Sequence, residues 1–158
     1  MHPRVREFAD RADERYGFDA SVREFDDELR TAADAAAALD CSVAEVASSL
    51  VFLADGEPVV VIVAGANRVD ESKLAAAVGV PPDAVEMADP ETVRETTGWA
   101  IGGVPPICHE RSAPVYVDET LVDLPEVWAG AGVPEALFPI SPDRLVEFAN
   151  ATSANVAE

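Results

Sequence analysis

Lysine is almost missing from this sequence: Lys73 is the only one in 158 residues, and with the arginines the basic total reaches 11 against 30 acidic residues. The formal charge is −19. Such a balance excludes a basic stripe that would hold nucleic acid by its phosphates. Carboxylates in this excess keep a protein dissolved at molar salt, where the Debye length falls to about 3 Å and self-repulsion fades. The composition therefore reads as a halophile's surface and reports the solvent, not the partner. A nucleic-acid partner would have to be held in pockets.

Cysteine and histidine are equally scarce. Cys41, Cys108, His2 and His109 form no recurring ligand spacing, so no metal is expected, and the two cysteines read as free thiols. Long apolar runs are absent too, since the longest, Val59 to Ala64, is far too short to cross a bilayer. The N-terminus, Met1-His2-Pro3-Arg4-Val5-Arg6-Glu7, lacks the apolar core of a secretory signal, which makes the cytoplasm the expected compartment. Neither GxGxxG nor GxxxxGK[ST] occurs, which excludes the usual dinucleotide and P-loop chemistry. No internal repeat is visible.

What is present fits one domain, 1–158, with 49% hydrophobic residues and enough length for a core without disulfides. Val5, Phe8, Ala9, Ala12 and Tyr16 mark one face of a helix over 4–16 that Gly17 closes. A short strand is expected over Ala20–Phe25. Thr31 caps a helix over Ala32–Leu39, and Ser42 caps a helical turn through Val46. Ser49–Leu53 and Pro58–Ala64 flank an Asp55-Gly56 turn as a hairpin, whose second strand is apolar on both faces and so central. A loop, Gly65-Ala66-Asn67-Arg68, follows it. Asp70 caps a helix ending at Gly79, and Asp89-Pro90-Glu91 starts another over 90–96. Strands are expected at 85–87, 115–117, 126–129 and 136–140, then a helix over 142–149 capped by Ser141 and a frayed tail beyond Asn150. Short strands interleaved with helices around one clear hairpin predict a mixed α+β domain.

The helix over 90–96 delivers the chain into Thr96-Thr97-Gly98-Trp99-Ala100-Ile101-Gly102-Gly103-Val104-Pro105-Pro106-Ile107-Cys108-His109-Glu110, the densest concentration of unusual backbone chemistry in the chain. Gly102 and Gly103 leave their N–H groups uncovered and Pro105 and Pro106 fix φ, so a stiff, ordered loop is expected. Adjacent bare amides of this kind can hold a carboxylate, a phosphate or a developing oxyanion. The same composition also suits a plain connection between helix and strand. His109 is either a general base near neutral pH or a loop histidine bonded to backbone. Cys108 and His109 are adjacent in sequence, which disfavours a nucleophilic dyad between them. Trp99 and Phe52 read as wall and core.

Five blocks in order carry a resemblance: Ser49-Leu50-Val51-Phe52; Gly65-Ala66-Asn67-Arg68-Val69-Asp70; Thr97 through Pro106 with His109; Tyr116-Val117-Asp118-Glu119; and the glycine turn 130–132. Together they resemble the YbaK/ProX family of aminoacyl-tRNA deacylases, related to the editing domain of bacterial prolyl-tRNA synthetase. The similarity runs from about residue 20 to about residue 148. It implies a largely antiparallel, partly closed sheet surrounded by helices, and hydrolysis of the ester joining a mischarged amino acid to the tRNA 3′ end, without cofactor. The aminoacyl-tRNA 3′ end is the implied partner, with a synthetase as a second one; neither membrane nor DNA is expected.

Carried over position by position, the resemblance implies that Gly102 and Gly103 donate N–H groups to the oxyanion. Ser48 and Ser49 would sit at the pocket floor, with Pro105, Pro106 and Cys108 lining it, Asp118 orienting the substrate amino group and Arg68 contacting the tRNA end. Two positions depart from the family. Ser48 stands where its deacylases usually carry a lysine, and Cys108 replaces the glycine before His109. Serine cannot act as a point charge on phosphate, so a catalytically silent binding module is the alternative.

Overall fold

The computed structural model describes residues 1–65 and 67–158. Six α-helices surround one sheet: α1 (Pro3–Tyr16), β1 (Arg23–Glu24), α2 (Ala32–Leu39), β2 (Val46–Ala54), β3 (Glu57–Ala64), α3 (Glu71–Val78), β4 (Val85–Met87), α4 (Pro90–Thr97), β5 (Val115–Asp118), α5 (Glu119–Val122), β6 (Val127–Gly130), β7 (Ala136–Ile140), α6 (Pro142–Ala149) and β8 (Thr152–Ala154). The strand order is β1-β7-β6-β2-β3-β5-β8, with β4 on β2 as well. Four pairings are antiparallel and three, β2 with β6, β3 with β5 and β5 with β8, are parallel. The domain is thus the mixed α+β architecture that the interleaved elements predict. No helix among the described residues is long and apolar enough to cross a membrane.

Local chemistry explains the helix ends. Thr31, Ser42, Asp70, Asp89 and Ser141 each accept a backbone N–H from the following turn through their side chains. Gly17, Gly79 and Gly98 close α1, α3 and α4 in the left-handed conformation. The Asp55-Gly56 turn joins β2 to β3 with Ala54 opposite Glu57. As expected of a strand apolar on both faces, β3 is central, buried from Val59 to Ala64.

Side-chain alternation divides the core. Ala47, Val51, Val60, Ile62 and Val117 face α1, α4, α5 and α6 through Val5, Phe8, Val93, Leu121 and Leu145. Phe52, Val59, Val61 and Val63 face α3 on the other side, while α2 sets Ala35 and Ala36 against Val46 and Leu137. Trp99 is fully buried. Its Nε1 donates to Cys108 O at 3.0 Å, Phe8 meets its ring edge-on at 6.3 Å, and the Arg4 guanidinium lies 4.1 Å from the ring centre. The loop after α4 is therefore clamped to α1.

Several expectations need correction. The strand at 20–25 is only Arg23–Glu24, and β2 starts at Val46, directly after the turn that Ser42 caps. The one-turn helix α5 had no signal. In the loop at 65–68, Ala66 lies outside the described residues. The tail is not frayed: β8 adds to β5 in parallel, Asp70 N–H donates to Val156 O at 2.8 Å, and Lys73 Nζ donates to Ala157 O at 2.8 Å. Val156 is fully buried against the α3 side of the core. Val156→Ala should therefore cost roughly 1–3 kcal/mol in urea unfolding, whereas an unchanged midpoint would mean that the tail is undocked.

Candidate active site

β2 is flanked on its outer edge by two different strands, and they do not meet. β6 pairs with its first residues, Val46 and Ala47, and β4 with its last, Phe52 to Ala54. The gap between them exposes Ser48 to Leu50. In an antiparallel pair, residues alternate between those whose N–H and C=O face the partner strand and those whose groups face away. Gly65 N–H donates to Val46 O at 2.6 Å, so the even residues of β2 face β3. The odd ones face outward: Ala47 pairs with Ala129 on β6, and Val51 O accepts from Ala88 N–H at 3.1 Å. Ser49 lies between these two, and no strand of the described residues reaches its outward N–H and C=O.

The gap exists because the glycine loop occupies the place where β6 would continue beside β2. Gly132 N–H donates to Gly103 O at 2.9 Å, and a Cβ on Gly103 would stand 2.6 Å from both Cα and N of Val133. Such a contact is impossible for any other residue. On Gly130 the same atom would meet Val104 O at 3.1 Å. The loop backbone thus rests on β6 and the turn after it.

Between the loop and the edge lies a cleft of about 270 Å³. Ser48, Ser49 and Leu50 form one wall, Ile101, Gly102 and Val104 a second, and Arg30, Thr31 and Ala32 at the start of α2 a third. Among the described residues its lining contains no aspartate, glutamate or histidine, and Arg30 is the one cation. Ser49 Oγ is buried in it without a hydrogen-bond partner among the described residues, an unusual state for a native hydroxyl. Gly102 adopts φ +98° and its N–H has no acceptor among the described residues. Gly103 N–H, in contrast, donates to Ala100 O at 3.1 Å, so the expected pair of free amides is reduced to one.

The structure brings Ser48, Ser49 and Gly102 together and places the other sequence-derived candidates elsewhere. Pro106, Cys108 and His109 line a separate hollow of about 390 Å³ with Arg15, Tyr16 and Phe148. Pro105 is buried, and its carbonyl accepts from His109 Nε2 at 2.7 Å, which puts the imidazole proton on Nε2. Burial pushes the His109 pKa below its ordinary value of 6.5, against the Pro105 bond and with help from Arg15, so the ring is neutral at pH 7. Cys108 is buried with φ +66°, the conformation that glycine takes most readily, and burial drives its thiol up to about 12 despite Arg15 and Arg11 nearby. Asp118, only 1% exposed, accepts from Thr120 Oγ1 at 2.6 Å and Asn67 Nδ2 at 3.4 Å, away from the cleft. Arg68 is exposed beside the C-terminal tail, its carbonyl accepting from Glu158 N–H at 2.9 Å. Arg30, Thr31, Ile101 and Gly130 were missed as site residues; Gly130 alone had a signal, as part of the glycine turn. Among the described residues no cluster of three His, Cys, Asp or Glu could hold a metal ion.

The sequence profile of the aminoacyl-tRNA editing domain matches residues 26–148. The chain belongs to that family. Within it, the uncharacterised protein YwhH of Bacillus subtilis is 32% identical over 128 residues, 80% of each chain. The proline--tRNA ligase of Lactobacillus acidophilus is 31% identical over 124 residues, which are 76% of this chain and 22% of the ligase. This chain therefore spans about a fifth of the length of that ligase. Among solved structures, a candidate trans-editing enzyme for prolyl tRNA synthetase superposes with a TM-score of 0.92 at 39% identity, covering 100% of this chain and 99% of that one. The hypothetical protein APE2540 does so with a TM-score of 0.86 at 30% identity, covering 96% and 99%.

Two outcomes follow for the second hollow. Because the unfolded chain takes up a proton at His109 near pH 6.5 and the folded chain resists it, this residue's contribution to stability is full above pH 6.5 and is lost as the pH falls through the lower folded pKa. The stability difference between wild type and His109→Gln, from urea unfolding, should be larger at pH 8 than at pH 5. A disulfide reagent should titrate Cys41 alone in the native chain and both thiols after denaturation.

Proposed function

We propose that this editing domain is a free-standing deacylase that hydrolyses the ester between a mischarged amino acid and the tRNA 3′ end, in the cleft between β2 and the glycine loop. The observation that carries the reading is the interrupted sheet edge: unpaired main-chain groups beside the Gly102 amide, in a hollow sized for one amino acid. Water attacks the ester carbonyl carbon, the carbonyl π pair moves onto oxygen, and main-chain N–H groups, Gly102's among them, stabilise the oxyanion. Collapse breaks the bond to the ribose oxygen. Each such donor contributes roughly 3–4 kcal/mol to lowering the barrier.

With no acid or imidazole lining the cleft, the proton of the attacking water passes to the departing ribose oxygen through the neighbouring ribose hydroxyl, a group that the substrate itself carries. His109 braces the loop through Pro105 and takes no part in the proton transfer.

A second reading rests on Ser48. The cleft lacks the lysine usual in the resemblance, and a module that binds aminoacyl-tRNA without cleaving it fits the same walls. A panel of mischarged tRNAs assayed at molar KCl separates the two: release of amino acid supports the deacylase, and binding without turnover supports the silent module. For a deacylase, His109→Gln should keep the rate within an order of magnitude. A tRNA ending in 2′-deoxyadenosine and charged on its 3′ oxygen should react at least ~100-fold more slowly. Ser48→Lys gaining hydrolysis in an otherwise silent protein would identify the serine as what disables the site.

A further inference from the structure

We infer that the aminoacyl group docks as a single residue of antiparallel strand against Ser49, so that the Ser49 main chain holds both ends of the amino acid. The inference rests on the deacylase reading for the identity of the substrate, and on the geometry of β2 for the mode. Ser49 is the outward-facing residue in the gap: Ala47 before it is engaged by β6 and Val51 after it by Ala88. Its N–H and C=O leave the same edge of the strand, the spacing at which two residues of an antiparallel hydrogen-bonded pair exchange both of their bonds. An aminoacyl ester presents the complementary pair, an ammonium donor and a carbonyl acceptor on either side of one Cα. Docked there, its ammonium donates to Ser49 O, and its carbonyl oxygen, the atom that becomes the oxyanion, accepts from Ser49 N–H.

The absence of acidic residues from the cleft lining agrees with this mode, because no carboxylate there competes with the main chain for the ammonium. Stereochemistry adds a second consequence. Directly opposed L-residues of an antiparallel pair place their side chains on the same face of the sheet, so the side chain of the edited amino acid lies beside Ser49 Oγ, the buried hydroxyl without a partner. Ser49 thus reads the main chain through its backbone and the side chain through its hydroxyl.

The test uses the full chain. Replacing residue 49 with the α-hydroxy acid analogue of serine turns its N–H into an ester oxygen and leaves the side chain unchanged. Because that N–H has no partner among the described residues, the substitution weakens only the Ser48 carbonyl bond to β3 and the fold should persist, which circular dichroism checks. The kcat for deacylation should fall ~100- to 1000-fold with KM little changed, and Ser49→Ala should fall far less. In parallel, 3′-deoxy-3′-(L-alanylamido)adenosine, which cannot be hydrolysed as an ester, is titrated into 15N-labelled protein, and the Ser49 amide resonance should move downfield. The inference is overturned if the analogue binds and that resonance stays in place, if the α-hydroxy acid changes kcat by less than about threefold, or if the analogue does not bind at millimolar concentration. A Ser49 shift in a protein that deacylates no charged tRNA would refute the hydrolase while upholding the docking mode.

Discussion

The site depends on two stretches of backbone lying against each other with no side chain between them. Residues 103 and 104 rest on 130–133 so closely that Gly103 has no room for a Cβ, and one on Gly130 would stand 3.1 Å from Val104 O. This contact has two effects. It stops β6 from continuing along β2, and it carries Gly102 to the lip of the recess that results. Gly103 permits the approach through the side chain it lacks, while its N–H closes a turn onto Ala100 and its carbonyl holds Gly132.

The rest of the loop is a brace. His109 ties back to Pro105, Cys108 N–H donates to Tyr16 Oη at 3.2 Å, and Arg15 donates to His109 O at 2.8 Å, so the proline half is fastened to α1 on the side away from the recess. Trp99 completes the fastening, with Arg4 against its ring and donating to Gly98 O. The loop divides its work by residue type: glycines where backbone must approach backbone, and prolines and histidine where the chain must be stiff. A recess walled by peptide groups and hydroxyls can orient a polar molecule without fixing a net charge inside the protein, and so avoids the desolvation cost of a buried ion.

Much of the fold was legible because its signals are local. Caps such as Thr31, Asp70, Asp89 and Ser141 act within one turn, and an unbroken apolar run over 59–64 marks a central strand whatever surrounds it. The start of β2, the length of β1 and the docking of 152–158 were not legible, because each depends on a partner distant in sequence: β6, β7 and β5 respectively. The site divides in the same way. Paired glycines and prolines marked the loop, and the resemblance singled out Ser48 and Ser49. Nothing local said that the loop faces two hollows, that Gly103 N–H is spent on Ala100, or that Arg30 and Ile101 stand at the mouth. The orientation of Ser49 is settled only by knowing which strands flank β2, and where they stop.

The two margins of the sheet end in β1 and β8, strands of two and three residues. Edges this short offer a neighbouring molecule almost nothing to template on, which guards against edge-to-edge aggregation. The unpaired segment at Ser48 to Leu50 is instead set inside the sheet, where the loop and the start of α2 crowd it. Recessed in this way, the segment offers a neighbouring chain far less open edge than a strand at the margin of the sheet would.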